Sequence, residues 1–395
     1  MTIQVTKEPI NLREKLNELE TNKGIKGNEI LQAETAQEVR SLIGAGRKNL
    51  IINGAMQVAQ RGTTFSVVDN IYTVDRWLTE FSGFGAWTLS RSTDAPAGFG
   101  YSLDLDCTTA DASPAAGDIF QLFHRLEGQD LQQLKKGTSS AESITFSFWV
   151  KSKKTGNLQV NLRDANSRII GAVYTINVAD TWEKKSITFA GDTSGVIAND
   201  NTSELTLEFP IGSGSTYSSG AVPTSWEATS TADKNAGATI NLADNTANYW
   251  RMTGLQLELG STATDFEHRS YGEELALCQR YYCSSFPAGI NPANNTLFDN
   301  QGVAGWTTFT STSARSPFIK YPVAMRTAPS LTLYNGSNVD GNGLWGIYTG
   351  AWDGSSAQSS EGTNKHFNVR INSGITATAN QSYLMRGNWT ADAEL

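Results

Sequence analysis

Three histidines, His124, His268 and His366, and three cysteines, Cys107, Cys278 and Cys283, are the chain's whole supply of imidazoles and thiols. None stands in an HxH, HExxH or CxxC arrangement, so zinc ligation lacks workable spacing, and an odd cysteine count argues against a disulfide framework. No GxSxG, GxxxxGK[ST] or strand-linked GxGxxG is present to support acyl transfer or nucleotide chemistry. Glycoside hydrolysis needs only two carboxylates roughly 5–10 Å apart, and 39 acidic residues offer pairs without singling one out. The chain is therefore read as non-enzymatic, with no catalytic residue, metal ligand or cofactor assigned.

The densest ionisable block, Asp265, Glu267, His268 and Arg269 in TDFEHRSYGEE, fits a structural junction in which Arg269 bonds Glu273 or Glu274. Asp75-Arg76-Trp77 is read in the same way, as a paired arginine beside a core tryptophan. Phe146, Trp149 and Trp250 are expected in the core.

Carbohydrate recognition needs aromatic rings for the C–H faces of sugars and amides, acids or guanidinium groups for the hydroxyls. Trp345, Tyr348 and Trp352, amid Asn338, Asp340, Asn342 and Asp353 in a glycine-rich stretch, meet that requirement and form the first candidate contact set. Tyr217 and Trp226, in the long polar loop GSGSTYSSGAVPTSWEATSTADKNAG at 212–237, form the second.

These loops need a scaffold, and the sequence supplies a mainly β one. Fifteen of the first 48 residues are charged against 55 of the remaining 347, a step that marks a boundary. Before it, Leu12, Leu16 and Leu19 lie at helical spacing, and Val39 and Leu42 belong to a second short apolar stripe that starts at a Thr35/Glu38 capping box. Helices this short are unstable alone in water, so residues 1–48 are expected to form a helical attachment or trimerisation segment. Residues 49–270 alternate apolar with polar at 101–106, 143–151, 157–164, 184–190, 204–209 and 252–260, the signature of an antiparallel β-sandwich. One short helix is expected near 128–136. Residues 271–395 repeat the β signal more sparsely, at 306–312, 318–325, 330–335, 366–372 and 382–389, and are read as a C-terminal β-rich domain.

Charge excludes some partners. The net charge of −8 provides no general field for nucleic acid or an anionic membrane, and no apolar run reaches the roughly 18 residues of a membrane span.

In this order, KNLIINGAMQVAQRGTTF at 48–65, YTVDRWL at 72–78, FSFWVKS at 146–152 and LQLELGSTATDFEHRSYGEELALCQRYY at 255–282 resemble the jelly-roll-like region of many tailed-bacteriophage tail fibres. KGNEILQAETAQEVRSLIGAG at 26–46 is similar to the helical linker of such fibres, and YPVAMRTAPSLTL at 321–333 with WTADAEL at 389–395 to their C-terminal tip. The resemblance implies a non-enzymatic homotrimeric virion protein made in the host cytoplasm and carried on the phage tail. Its N-terminus would hold a tail or adaptor protein, its sandwich would resemble a carbohydrate-binding module, and its distal end would contact a host surface glycan or protein. Jelly-roll modules of this kind often carry a structural calcium, for which no residue set stands out here. A capsid fibre or decoration protein without a receptor is the alternative, and a surface-polysaccharide depolymerase a more distant one.

Overall fold

A computed structural model describes residues 48–294, 304–308, 310–335, 344–348, 352–353, 357–373 and 377–395. Leu12, Leu16, Leu19, Val39, Leu42, Asn338, Asp340 and Asn342 lie outside the described residues.

The described fold is mainly β. Its first part contains β1 (Thr64–Ser66), β2 (Leu78–Ser82), β3 (Ala86–Ser92), β4 (Ser102–Thr109), β5 (Ile119–Glu127), β6 (Ile144–Ser152), β7 (Gly156–Asp164), β8 (Arg168–Ile176), β9 (Glu183–Phe189), β10 (Ser203–Ser213), β11 (Glu227–Ala228) and β12 (Tyr249–Leu259). They form two antiparallel sheets, β1-β3-β4-β12-β6-β9 and β11-β8-β7-β10-β5-β2, packed face to face as a β-sandwich. Alternation explains the packing: Phe146, Phe148 and Val150 of β6 meet Leu158, Val160 and Leu162 of β7 and Leu205, Leu207 and Phe209 of β10 between the sheets. Each such side chain contributes roughly 1.5–3 kcal/mol by leaving water.

Several expectations require correction. Trp149 stands three residues from Phe146, an odd spacing that turns it to the outer face of β6, where it is half-buried. Trp250 and Phe146 are fully buried. Residues 128–136 form two 3-10 turns, Gly128–Asp130 and Gln132–Leu134, stopped by Lys135 at φ 50°, in place of a helix. In β12 the pairing with β6 shifts between Thr253 and Gln256. Gly254, at φ +63°, sits in this bulge and lets Met252 and Leu255 both face the core despite their odd spacing.

After the sandwich comes the one longer helix of the described residues, α1 (Tyr271–Gln279), which the sequence reading did not anticipate. Ser270 and Glu273 form its capping box. Strands β13 (Tyr282–Ser284), β14 (Ala304–Thr308), β15 (Ala314–Arg315), β16 (Ile319–Lys320), β17 (Ser330–Tyr334), β18 (Gly346–Tyr348), β19 (Trp352–Asp353), β20 (Ala357–Gly362), β21 (His366–Ser373), β22 (Ser382–Arg386) and β23 (Asn388–Asp392) follow. They form a β13-β23-β17 sheet and a larger sheet ordered β16-β21-β15-β14-β22-β18-β19, with β20 paired to β21. A second core of Trp345, Ile347, Phe367, Val369, Ile371 and Met385 lies against the larger sheet. Of the expected strand 318–325 only Ile319–Lys320 pairs in a ladder.

The last residues are not a free tip. Ala393 N donates to Tyr281 O at 2.7 Å, Tyr72 Oη donates to Leu395 O at 2.7 Å, and Arg125 also reaches Leu395 O. Residues 393–395 thus return to the sandwich, where Leu395 packs beside Ile52, Val58 and Tyr281.

Candidate functional site

The two contact sets expected from sequence are placed differently. Trp345 is fully buried: its indole N–H donates to Asn388 O at 2.8 Å, and its ring lies against Gly387 so closely that a Cβ there would clash. It anchors the C-terminal core and has no face open to a sugar. Tyr348 is 46% exposed, in register opposite Leu384, itself 46% exposed, and opposite Trp352 on β19. Asp353 follows on the same short strand. Trp226 is half-buried, its N–H donates to Ala190 O at 2.7 Å, and the Lys136 ammonium lies 4.8 Å from its ring centre. That ammonium occupies the ring's face and is itself buried between Asp164 and Asp192. Tyr217 is half-buried beside Lys234, whose Nζ is 5.9 Å from the Tyr217 ring centre.

The ionisable blocks are structural, and Glu274 is Arg269's partner. Arg269 donates to Ile51 O at 3.1 Å and pairs with Glu267 at 3.2 Å and Glu274 at 3.3 Å. Glu273 serves as the helix cap. Glu267 also accepts from Asn49 N, and Glu274 from Asn53 N. Asp265 holds Lys48 through its carbonyl, while His268 packs against Phe99 and Phe266. His124 is buried against Trp77, and burial first, then Arg76 and Arg269, keeps its pKa well below the ordinary value. Among the described residues no group of three or more His, Cys, Asp or Glu side chains is placed to hold a metal ion, and no helix is long and apolar enough to cross a membrane.

A cleft that the sequence did not reveal lies on the outer face of the β11-β8-β7-β10-β5-β2 sheet. Successive outward residues make that face polar: Gln121, Phe123 and Arg125 on β5, Thr206 and Glu208 on β10, and Gln159, Asn161 and Arg163 on β7. Gln159 and Asn161 hold the loop 212–237 down. Gln159 Nε2 donates to Asp233 O at 2.9 Å and its Oε1 accepts from Gly237 N at 2.8 Å, while Asn161 Nδ2 donates to Lys234 O at 2.8 Å. The fastened loop, the turn at Ser167 and the edge strand β2 enclose a cleft of about 450 Å³. Arg125, Arg163, Lys234, Thr229 and Thr231 line it together with Asp69, Asn70 and Glu80, beside Leu78 and Phe123.

The cleft's polar groups are only partly engaged. Glu80 accepts from Gln121, Asp69 Oδ1 accepts from Phe81 N at 3.0 Å, and Arg163 Nε donates to Glu208 Oε1 at 2.5 Å. On the lining, Thr229 Oγ1 is buried without a hydrogen-bond partner among the described residues; beneath it, Gln121 Oε1 and Glu208 Oε2 are likewise unpartnered. Unmet polar groups at a cleft favour a polar ligand that completes them. Residue type alone could have flagged only Arg163 and Lys234, since the convergence depends on the loop folding back.

No protein-family model matches the chain, and no curated protein matches it. Among solved structures it is similar to the enzymatically active domain of bacteriophage CBA120 tailspike protein 4, at 12% identity over 53% of this chain and 21% of that chain, with a TM-score of 0.30. It is also similar to TmCBM61 in complex with β-1,4-galactotriose, at 8% identity over 54% of this chain and 99% of the other, TM-score 0.28. A third is the family 11 carbohydrate-binding module from Clostridium thermocellum in complex with a β-1,3-1,4-mixed-linked tetrasaccharide, at 12% identity over 52% and 99% of the two chains, TM-score 0.25. At these scores the likenesses carry no argument, and the functional reading rests on this chain's own residues.

Proposed function

We propose that this chain is a non-enzymatic, receptor-binding subunit of a tailed-phage fibre, and that its sandwich cleft binds host surface glycan. The cleft carries the glycan reading: its volume suits one or two sugar rings, and cationic, acidic and hydroxyl groups converge in it with hydrogen-bonding capacity left over. The fibre context comes from the sequence blocks at 48–65, 72–78, 146–152 and 255–282. In this reading residues 1–48 attach to the tail and assist trimerisation, and the exposed Tyr348/Leu384 face offers a second host contact. Three copies would raise the apparent affinity of a shallow site through avidity.

Competition with phage adsorption tests the proposal. Host cells treated with the pure protein should adsorb fewer phage, and Thr231→Trp, which fills the cleft from its rim, should remove that effect. Equal competition by the variant would overturn the cleft as receptor site. Three copies of the 42.7 kDa chain, about 128 kDa by light scattering, are expected in solution; a mass of one copy would overturn a self-sufficient trimer.

A further inference from the structure

Neutral sugars are held chiefly by stacking on an exposed ring, and the sandwich cleft offers almost none: Phe123 is 5% exposed and Leu78 2%. Little apolar surface is there for a pyranose face to cover. Affinity in such a site has to come from hydrogen bonds, and those with a charged member are the strong ones.

Two of the donors still available are charged. Arg163 spends its Nε on Glu208 Oε1, which fixes the plane of the guanidinium, and its two Nη groups have no partner among the described residues. Lys234 Nζ likewise has no hydrogen-bond partner among the described residues. Its backbone is pinned by Asn161, and the neighbouring Asp233 carbonyl by Gln159, so the ammonium extends from a fixed point. Thr229 Oγ1, without a partner, lies on the same lining as Arg163 and Lys234. The acids of the lining each accept one hydrogen bond from a neutral donor, Glu80 from Gln121 and Asp69 from Phe81 N, and keep their negative charge. The third cation, Arg125, is engaged by Leu395 O and helps shape the wall.

From this arrangement we infer that the cleft selects a sugar bearing an anionic substituent, a carboxylate or a phosphate, held between Arg163 and Lys234, with Thr229 serving a neighbouring hydroxyl. Arg163 presents two parallel N–H donors, the geometry that matches two oxygens of one anionic group. Lys234 supplies a point charge from the loop that Asn161 and Gln159 hold down. On the lining Arg125, Arg163 and Lys234 outnumber Asp69 and Glu80 by one charge, a small positive excess in a chain of net charge −8. The inference rests on the glycan reading and specifies its ligand class.

A panel of immobilised bacterial surface oligosaccharides tests it, with uronate-bearing and phosphate-bearing members each beside its carboxyl-reduced or dephosphorylated counterpart. Full-length protein is expected to bind an acidic member and to lose about tenfold in affinity on neutralisation of that member, on Arg163→Gln and on Lys234→Gln. Binding should weaken on raising NaCl from 50 to 300 mM. Whether carboxyl reduction or dephosphorylation removes binding identifies the anionic group. Near-ultraviolet circular dichroism confirms that each variant is folded. Equal binding of charged and neutralised members, or unchanged binding by both folded charge variants, would overturn the inference. If neutral binding persists and is abolished by Thr231→Trp, the glycan reading stands and the anionic specificity falls. A folded protein that binds no panel member would overturn both.

Discussion

Glu394 lies between two arginines, pairing with Arg76 through Oε2 and with Arg61 through Oε1 at 3.1 Å, and all three side chains are buried. Arg76 also lies over the Tyr281 ring at 3.5 Å and Arg61 over Tyr282 at 3.7 Å. Arg326 completes the junction by donating to Ala393 O and Glu394 O, both at 2.7 Å, and to Asn201 O at 3.0 Å. Arg280 and Tyr281 both bond Glu127.

Removing Glu394's charge should therefore unfasten the C-terminal part. Glu394→Ala leaves two buried guanidinium groups undercompensated and is expected to cost about 3–5 kcal/mol. Guanidinium denaturation and limited proteolysis between residues 260 and 280 check this; unchanged stability and unchanged cleavage would contradict it.

Asp75 predicts a specific pH dependence. Burial, with Glu394's negative charge nearby, raises its pKa to about 6 against the opposing attraction of Arg61. Arg61 faces the same burial, yet its three acidic neighbours outweigh it and keep the guanidinium charged. A carboxyl raised from 3.8 to about 6 holds more protons folded than unfolded between those values, so its contribution makes stability fall as pH rises through that window. Asp75→Asn should remove this part of the slope between pH 4 and 6, measured as the difference in unfolding midpoints at pH 4, 5, 6 and 7. Parallel pH profiles for the two proteins would refute it.

Trp345 and Tyr348 should separate stability from surface. Trp345→Ala leaves a large cavity and removes the indole hydrogen bond to Asn388 O, at an expected cost of about 3–5 kcal/mol. Tyr348→Ala, at a 46% exposed position, should cost clearly less than Trp345→Ala. Thermal unfolding of the two variants decides the matter, and comparable losses would show that Tyr348 is structural.

The thiols offer a simple chemical check. Cys107, Cys278 and Cys283 are unpaired and buried; burial raises the pKa of all three, that of Cys283 to about 12. Iodoacetamide at pH 8 should leave the folded protein unmodified and label three sites in denaturant. Rapid labelling of the native chain would show that a thiol is accessible.

Sequence pattern was most informative where a strand has one core face and one polar face. Strands β4, β6, β7, β9, β10 and β12 announce themselves by alternation, whereas β5 escaped because Gln121, Phe123 and Glu127 on its outer face are buried as well. In β8, Ile169, Ile170 and Gly171 are consecutively buried and blur the same signal. Trp345 has the residue type of a sugar-contact ring yet lies in the core, since nothing in a glycine-rich sequence says which ring turns inward. The cleft was hidden for a different reason. Gln159, Asn161 and Arg163 read as an ordinary solvated face until the loop 212–237 is seen folded across them, and that fold-back is a long-range contact which local pattern does not encode.

The return of residues 393–395 to the sandwich also has a mechanical consequence. One covalent crossing at residue 270 would act as a swivel, but a second fastening at Arg61, Arg76, Tyr72 and Arg125 resists torque about it. The Tyr348/Leu384 face and the sandwich cleft therefore turn together as parts of one lever, and a pull on either is transmitted to the other instead of being absorbed by rotation at the joint.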